Sequence, residues 1–90
     1  MKKVMAQGVF DILHPGHLHY FRESKDLGDD LVVIIARDSR VKKEKGLYFD
    51  EDERREMVES LKPVDEALLG SKGDIYSTVR EIDPDVITLG

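Results

Sequence analysis

Cysteine is absent from the 90-residue chain, which excludes disulfides and thiolate chemistry and leaves the redox compartment unmarked. Long apolar runs are missing as well. None approaches the roughly 20 residues that a bilayer-spanning helix needs, and the opening MKKVMAQG lacks the apolar core of a secretory signal. The expected location is therefore cytoplasmic, with no membrane partner. Positive charge is not in excess either: the formal net charge is −5, whereas a general nucleic-acid binder needs a basic surface, so no nucleic-acid partner is expected. No low-complexity segment, linker or repeat interrupts the chain. With 37% charged and 40% hydrophobic residues the balance is that of an ordinary globular protein. A chain of this length holds one core, so a single domain spanning residues 1–90 is expected.

What the sequence does contain is an alternation of strand and helix signals. KVMAQGVF reads as a first strand, with Val4, Met5 and Ala6 apolar. PGHLHYFRESKDLG reads as a helix, Pro15 suiting its first position and Gly28 its stop. LVVIIA is continuously apolar and β-branched, as in a parallel strand buried on both faces. The polar RDSRVKKEKGLYF follows as a loop. A second helix is expected from about Asp50 to Leu61, with acidic residues crowding its first turn as the helix dipole favours. EALLG is a short third strand, and Asp74 can cap a third helix whose inward face is Ile75, Val79 and Ile82. DVITLG is the fourth strand. This order predicts an α/β fold, a Rossmann-like parallel sheet with flanking helices wound by right-handed crossovers. In such sheets ligands bind beyond the carboxyl ends of the strands. Gly90 stands at one of those ends, so the domain is read as truncated after the fourth strand, at a functional edge.

The densest chemistry lies in GVFDILHPGHLHYF, from Gly8 to Phe21. A helix starting at Pro15 makes His14 its N-cap and His17 its third residue, on one side of the first turn. The residue before proline is pushed out of helical geometry, as an N-cap requires. Free N–H groups and the dipole favour an anion there. Gly16 offers no side chain to obstruct a phosphate, and Gly8 gives similar clearance at the strand end. Two imidazoles could then donate hydrogen bonds to phosphate oxygens. An ordinary structural turn is the second reading. A metal site ranks third, because His19 is rotated away from His17 and no carboxylate follows at a familiar ligand spacing.

GVFDILHPGH resembles the nucleotide-binding signature of the cytidylyltransferase-like nucleotidyltransferases, His-x-Gly-His after a strand ending in Gly-x-Phe-Asp. The resemblance extends through LGDDLVVIIARDS, VDEALLG and PDVITLG to cover essentially the whole chain. Within the family, IARDSRVKKEKG and LKPVDEALLGSKGDI look closest to the archaeal FAD synthases, with glycerol-3-phosphate cytidylyltransferases as near neighbours. The resemblance implies the α/β-phosphodiesterase type of fold and transfer of an NMP group from an NTP to a phosphate acceptor, with release of pyrophosphate. The first choice is ATP with FMN; the alternatives are CTP with glycerol 3-phosphate, and a fragment that binds nucleotide without turnover. Magnesium is expected on the substrate phosphates, with no metal held by the protein itself, and a homodimer is expected.

Carried over residue by residue, the resemblance places His14 and His17 at the reacting phosphates. It places Lys43 and Lys45, in a cluster with Lys42, on the triphosphate and the departing pyrophosphate, with Lys43 counted as catalytic. Gly8, Val9, Phe10, Asp11, Gly16 and Gly90 belong to the nucleotide-binding frame. The dipole should keep both imidazoles neutral donors. Asp11 could orient a histidine, meet magnesium through water, or form a turn. Asp38 could contact the acceptor or shape its loop. Helical geometry puts Arg54 on the face of Met57, Val58 and Leu61, toward the sheet, which makes it a phosphate-ligand candidate. It puts Arg55 four residues from both Glu51 and Glu59, in an exposed pairing. The family's arginine also falls on Arg54. Tyr48 and Phe49 could line an acceptor pocket but read first as loop anchors, and Leu18 and Phe21 as core.

Overall fold

The computed structural model describes residues 1–41, 46–71 and 75–89, with the backbone alone given for Ile75. Lys42, Lys43, Lys45, Asp74, Gly90 and the Ile75 side chain therefore lie outside the described residues. The elements run β1 (Lys3–Gly8), α1 (Pro15–Asp26), β2 (Asp30–Ile35), a 3-10 turn (Asp38–Arg40), α2 (Glu51–Glu59), β3 (Glu66–Leu69), α3 (Ile75–Ile82) and β4 (Val86–Ile87). The strands form one parallel sheet in the order β3-β2-β1-β4. The α/β expectation holds, with the 3-10 turn added inside the stretch read as a loop.

Register follows from which strands are buried. β1 and β2 are central and pair along their whole length, from Lys3 with Asp30 to Gly8 with Ile35. β4 is an edge strand, pairing only Val4 with Val86 and Met5 with Ile87. Side chains alternate between faces. Val4 and Ala6 of β1 join Leu31, Val33 and Ile35 of β2 under Phe21 of α1 and Val58 of α2. Met5, Val32 and Ile34 face the other way, against Val79 and Ile82 of α3. Both helices that link consecutive neighbouring strands thus cover one face, and the helix that carries the chain back across the sheet covers the other.

Helix ends follow local chemistry. At α2, the side chain of Asp50 accepts from Glu53 N at 2.8 Å and that of Glu53 accepts from Asp50 N at 3.2 Å, a capping box that places acid in the first turn. At the far end of α1 the cap is Leu27 in ordinary right-handed geometry. Gly28 does not act as a left-handed stop: a Cβ there would lie 2.7 Å from Lys2 O, so the glycine lets the turn pass close to the start of β1.

After β3 the chain crosses over β2 and β1 to reach β4, so strand order reverses beside β1. The crevice outside the carboxyl ends at such a reversal is where open α/β sheets bind ligands. The end of β1 and the beginning of α1 lie there.

Candidate active site

Gly8, Val9 and Phe10, leading out of β1, line an open pocket of about 460 Å3 together with Gln7, His14, Gly16, His17 and Tyr20. His14 is the N-cap of α1 in extended geometry, with φ −145° and ψ 171°. Its Nδ1 accepts from Gly16 N at 3.1 Å, and His17 Nδ1 accepts from His14 N at 3.3 Å. The two rings stack with centroids 3.9 Å apart. A neutral imidazole that accepts at Nδ1 carries its proton on Nε2. The hydrogen-bond pattern therefore assigns both rings the tautomer that donates from Nε2.

This changes the anion-site expectation in its details. The N–H groups at the helix start are engaged: Gly16 N by the His14 ring, and His17 N and Leu18 N by His14 O. Donor capacity passes from the backbone to the two Nε2–H groups. The glycine clearances are used differently as well. A Cβ on Gly16 would meet His14 Cε1 at 2.8 Å, and one on Gly8 would lie 2.5 Å from Phe10 Cζ. Both gaps are filled by aromatic side chains of the site rather than left open for phosphate. Phe10 takes a left-handed backbone, φ 53°, unusual for a bulky residue. That conformation lays its ring over Gly8 and edge-on to His17 at 5.3 Å, against Phe21 at 4.9 Å. Phe10 thereby positions the second imidazole.

Burial, followed by the neighbouring His14, holds the His17 imidazole below its ordinary pKa of 6.5. The sign for stability follows from proton counting. Below that ordinary value the unfolded chain binds more protons at this residue than the folded one, so stability falls as pH drops. Protonation at Nδ1 also removes the acceptor for His14 N. Thermal unfolding between pH 8 and 5 should show the melting temperature of the wild type falling below pH 6.5, and His17→Ala should show a smaller fall over the same range. Identical pH profiles would remove His17 as the titrating group.

Asp11 does not face the histidines. Its carboxylate accepts from Tyr48 N and Phe49 N, both at 2.9 Å, so it pins the segment leading into α2. Among the described residues its carboxylate bonds to neither histidine, and the backbone groups it holds are 37 and 38 residues away rather than within a turn. Tyr48 and Phe49 are accordingly loop anchors, with the Tyr48 side chain exposed. Asp38 shapes its loop: it accepts from Glu51 N at 3.3 Å while its own N–H donates to Glu51 Oε1 at 2.9 Å. Glu51 turns to Arg37 at 3.2 Å, so of the two partners expected for Arg55 only Glu59 is found, also at 3.2 Å.

Arg54 points toward the sheet as its helix face required, and is completely buried. Its guanidinium donates to Val9 O at 2.8 Å, Phe49 O at 3.2 Å and Asp38 Oδ1 at 2.6 Å. It ties the pocket loop, the lead-in to α2 and the end of β2 together from beneath. Because it is fully buried, a phosphate could reach its remaining N–H groups only if the residues covering it moved. Among the described residues no group of three His, Asp or Glu side chains could hold a metal ion, and no helix is long and apolar enough to cross a membrane.

Two residues of this region were not singled out by the sequence. Arg37 donates from Nε to Gly70 O at 2.6 Å as well as pairing with Glu51, and so joins the end of β3 to α2. Gln7, the penultimate residue of β1, lines the pocket. Position alone, one residue before the signature glycine, was the available signal for Gln7; nothing local marked Arg37.

Comparison with known proteins agrees with this geometry. Residues 5–90 match the cytidylyltransferase-like family. A curated FAD synthase from Aciduliprofundum boonei is 59% identical over all of this chain and 61% of its own length. One from Thermoplasma acidophilum is 58% identical over all of this chain and 64% of its own. The chain thus spans about three-fifths of the length of these relatives. A crystal structure titled the lipopolysaccharide core biosynthesis protein from Thermoplasma volcanium superposes with a TM-score of 0.94 at 55% identity, covering 100% of this chain and 75% of that one. The stacked imidazoles at the start of α1, the parallel sheet that presents them and a match running from Met5 to the last residue agree: the chain belongs to the cytidylyltransferase-like family.

Proposed function

We propose that this chain is the nucleotide-binding and catalytic part of a nucleotidyltransferase that joins ATP and FMN to give FAD and pyrophosphate. The observation that carries the reading is the pair of stacked imidazoles at the start of α1, both with Nε2–H available, on the wall of a pocket at the reversal of strand order. The relatives named FAD synthase supply the choice of substrates.

In the reaction an oxygen of the FMN phosphate attacks the α-phosphorus of ATP. A new phosphorus–oxygen bond forms as the bond to the β-phosphate oxygen breaks, and pyrophosphate carries off the electron pair. Magnesium enters as part of the nucleotide substrate. Little covalent chemistry falls to the protein; positioning and charge stabilisation do the work. His14 and His17 donate from Nε2 to phosphate oxygens on which negative charge builds. Nδ1 acceptance fixes the tautomer and orientation of the rings, which makes the donors preorganised. Lys43 and Lys45 are proposed to meet the triphosphate, and a homodimer in the cytoplasm is the proposed working form.

The test is magnesium-dependent pyrophosphate release with ATP or CTP crossed against FMN and glycerol 3-phosphate, run on this chain and on the full gene product containing it. Release is expected with ATP and FMN. Release confined to CTP with glycerol 3-phosphate would overturn the substrate choice. Nucleotide binding with no release from either protein would reduce the chain to a binding module.

A further inference from the structure

The transfer needs two substrates held at once, and the sheet carries a second concavity on its other face. Met5, Gln7, Ile34, Ala36, Gly70 and Thr78 line a cavity of about 100 Å3, with Arg37, Arg40 and Ser71 completing its wall. Its floor is apolar: Met5 and Ile34 are buried core residues of the α3 side. Such a floor suits a ring; of the two arginines on the wall, Arg37 is already engaged by Gly70 O and Glu51. At about 100 Å3 it is smaller than the roughly 150 Å3 apolar cavity that holds a benzene molecule, so it takes only one edge of a flat ring system, with the rest projecting from the mouth.

Gln7 belongs to the linings of both this cavity and the imidazole pocket. It follows Met5 by two along β1, so the two side chains share a face. The Gln7 backbone N–H meets Tyr20 Oη at 3.4 Å. Its half-buried side-chain carboxamide has no hydrogen-bond partner among the described residues. A carboxamide offers a donor and an acceptor side by side in one plane. The matching ligand edge carries an acceptor beside a donor, as the imide edge of a flavin ring does.

We infer that the far-face cavity seats the ring system of the phosphate acceptor, whose imide edge is read by the Gln7 carboxamide while its phosphate crosses the end of β1 to His14 and His17. This rests on the proposal that the acceptor is FMN. Gln7 is then a specificity residue. The imidazole pocket is left to the nucleotide, so the two substrates meet over the carboxyl end of β1.

The test is equilibrium titration of the chain with FMN, riboflavin and magnesium ATP, using the wild type, Gln7→Met and Ala36→Phe, with thermal unfolding as the fold control. Riboflavin keeps the ring and lacks the phosphate, so it isolates the cavity. Gln7→Met should weaken both flavins about tenfold, the loss expected for a paired hydrogen-bonding edge. Ala36→Phe, whose ring enters the cavity, should weaken them at least as much while changing ATP less than about twofold, because Ala36 lines this cavity and not the imidazole pocket. Flavin binding that neither variant weakens would overturn the cavity assignment and leave the FMN reading standing. Weakened ATP binding with flavins unmoved would give the cavity to the nucleobase and overturn the assignment as well. A wild type that binds neither flavin would overturn the acceptor reading, and the inference with it. Gln7→Met alters a half-buried side chain with no partner, so it keeps the test decisive if Ala36→Phe fails to fold.

Discussion

Arg54→Ala is expected to destabilise the chain by about 3 kcal/mol, whereas Arg55→Ala, one residue along the same helix, leaves the melting temperature almost unchanged. The two arginines differ in what they hold. Arg54 is fully buried and donates to Val9 O, Phe49 O and Asp38 Oδ1. Truncation leaves two backbone carbonyls short of a donor, and each unsatisfied buried acceptor costs about 1–3 kcal/mol. It also empties the volume of a long side chain. Loss of the pair with Asp38 adds less than a buried ion pair normally would, because the Asp38 side chain is 42% exposed and water can take over its carboxylate. For a domain of this size the total corresponds to a fall of roughly 10–20 °C in melting temperature. Among the described residues Arg55 meets only Glu59, on the outer face of the helix, where such pairs are weak. Thermal unfolding of both variants checks the contrast, and equal shifts would remove Arg54 from its place as the hub. Arg54→Lys separates charge from geometry: it keeps the cation but has no planar fork to reach three acceptors, so most of the loss should remain. Triphosphate affinity is then to be measured below the variant's melting temperature, since only there does weaker binding speak for phosphate contact.

Arg54 also shows where sequence reading succeeds and where it stops. Helical spacing alone turned Arg54 toward the sheet and Arg55 away, and the structure agrees, because the direction of a side chain on a helix is set within one or two turns. The same locality made the start of α1 legible: Pro15 fixes the first turn, so His14 had to cap and His17 had to lie above it. Strand identity was legible from LVVIIA for the same reason. Contacts across the chain were not. Asp11 was left between three readings because its partners, Tyr48 N and Phe49 N, are 37 and 38 residues away, and no local pattern encodes that pairing. Gly8 and Gly16 were marked for the clearance that a missing side chain gives, but the rings that lie in that space were not foreseen. Phosphate clearance was expected where the Phe10 and His14 rings lie. The unusual backbone of Phe10, which puts its ring there, is a property of the folded loop. Gln7 escaped notice because its importance comes from lying between two cavities, which only the assembled sheet creates. Lys43, Lys45 and Gly90 fall outside the described residues, so their roles rest on resemblance.

His17→Ala is expected to lower turnover of the active protein by about 10²–10³-fold, the usual loss for one preorganised donor to a developing oxyanion, while changing the KM for nucleotide only severalfold. The asymmetry follows from what the ring does. His17 Nδ1 is spent on His14 N, so the ring meets substrate through Nε2–H alone, and a hydrogen bond gains most when charge accumulates on its acceptor. Interactions strengthened only in the transition state lower the barrier without tightening the ground state. The same substitution removes half of the reciprocal cap on α1, a loss of about 1 kcal/mol, or roughly 4–8 °C in melting temperature. Turnover is therefore to be compared at a temperature where both proteins are folded. His19→Ala supplies the control: that ring is exposed, pairs with Glu23 at 3.1 Å and does not line the pocket, so its removal should leave turnover within about twofold. A large loss of kcat in His17→Ala beside an unaffected His19→Ala assigns the chemistry to the ring at the helix start. Unchanged turnover in His17→Ala would remove it from the reaction and leave its stacking on His14 as a purely structural cap.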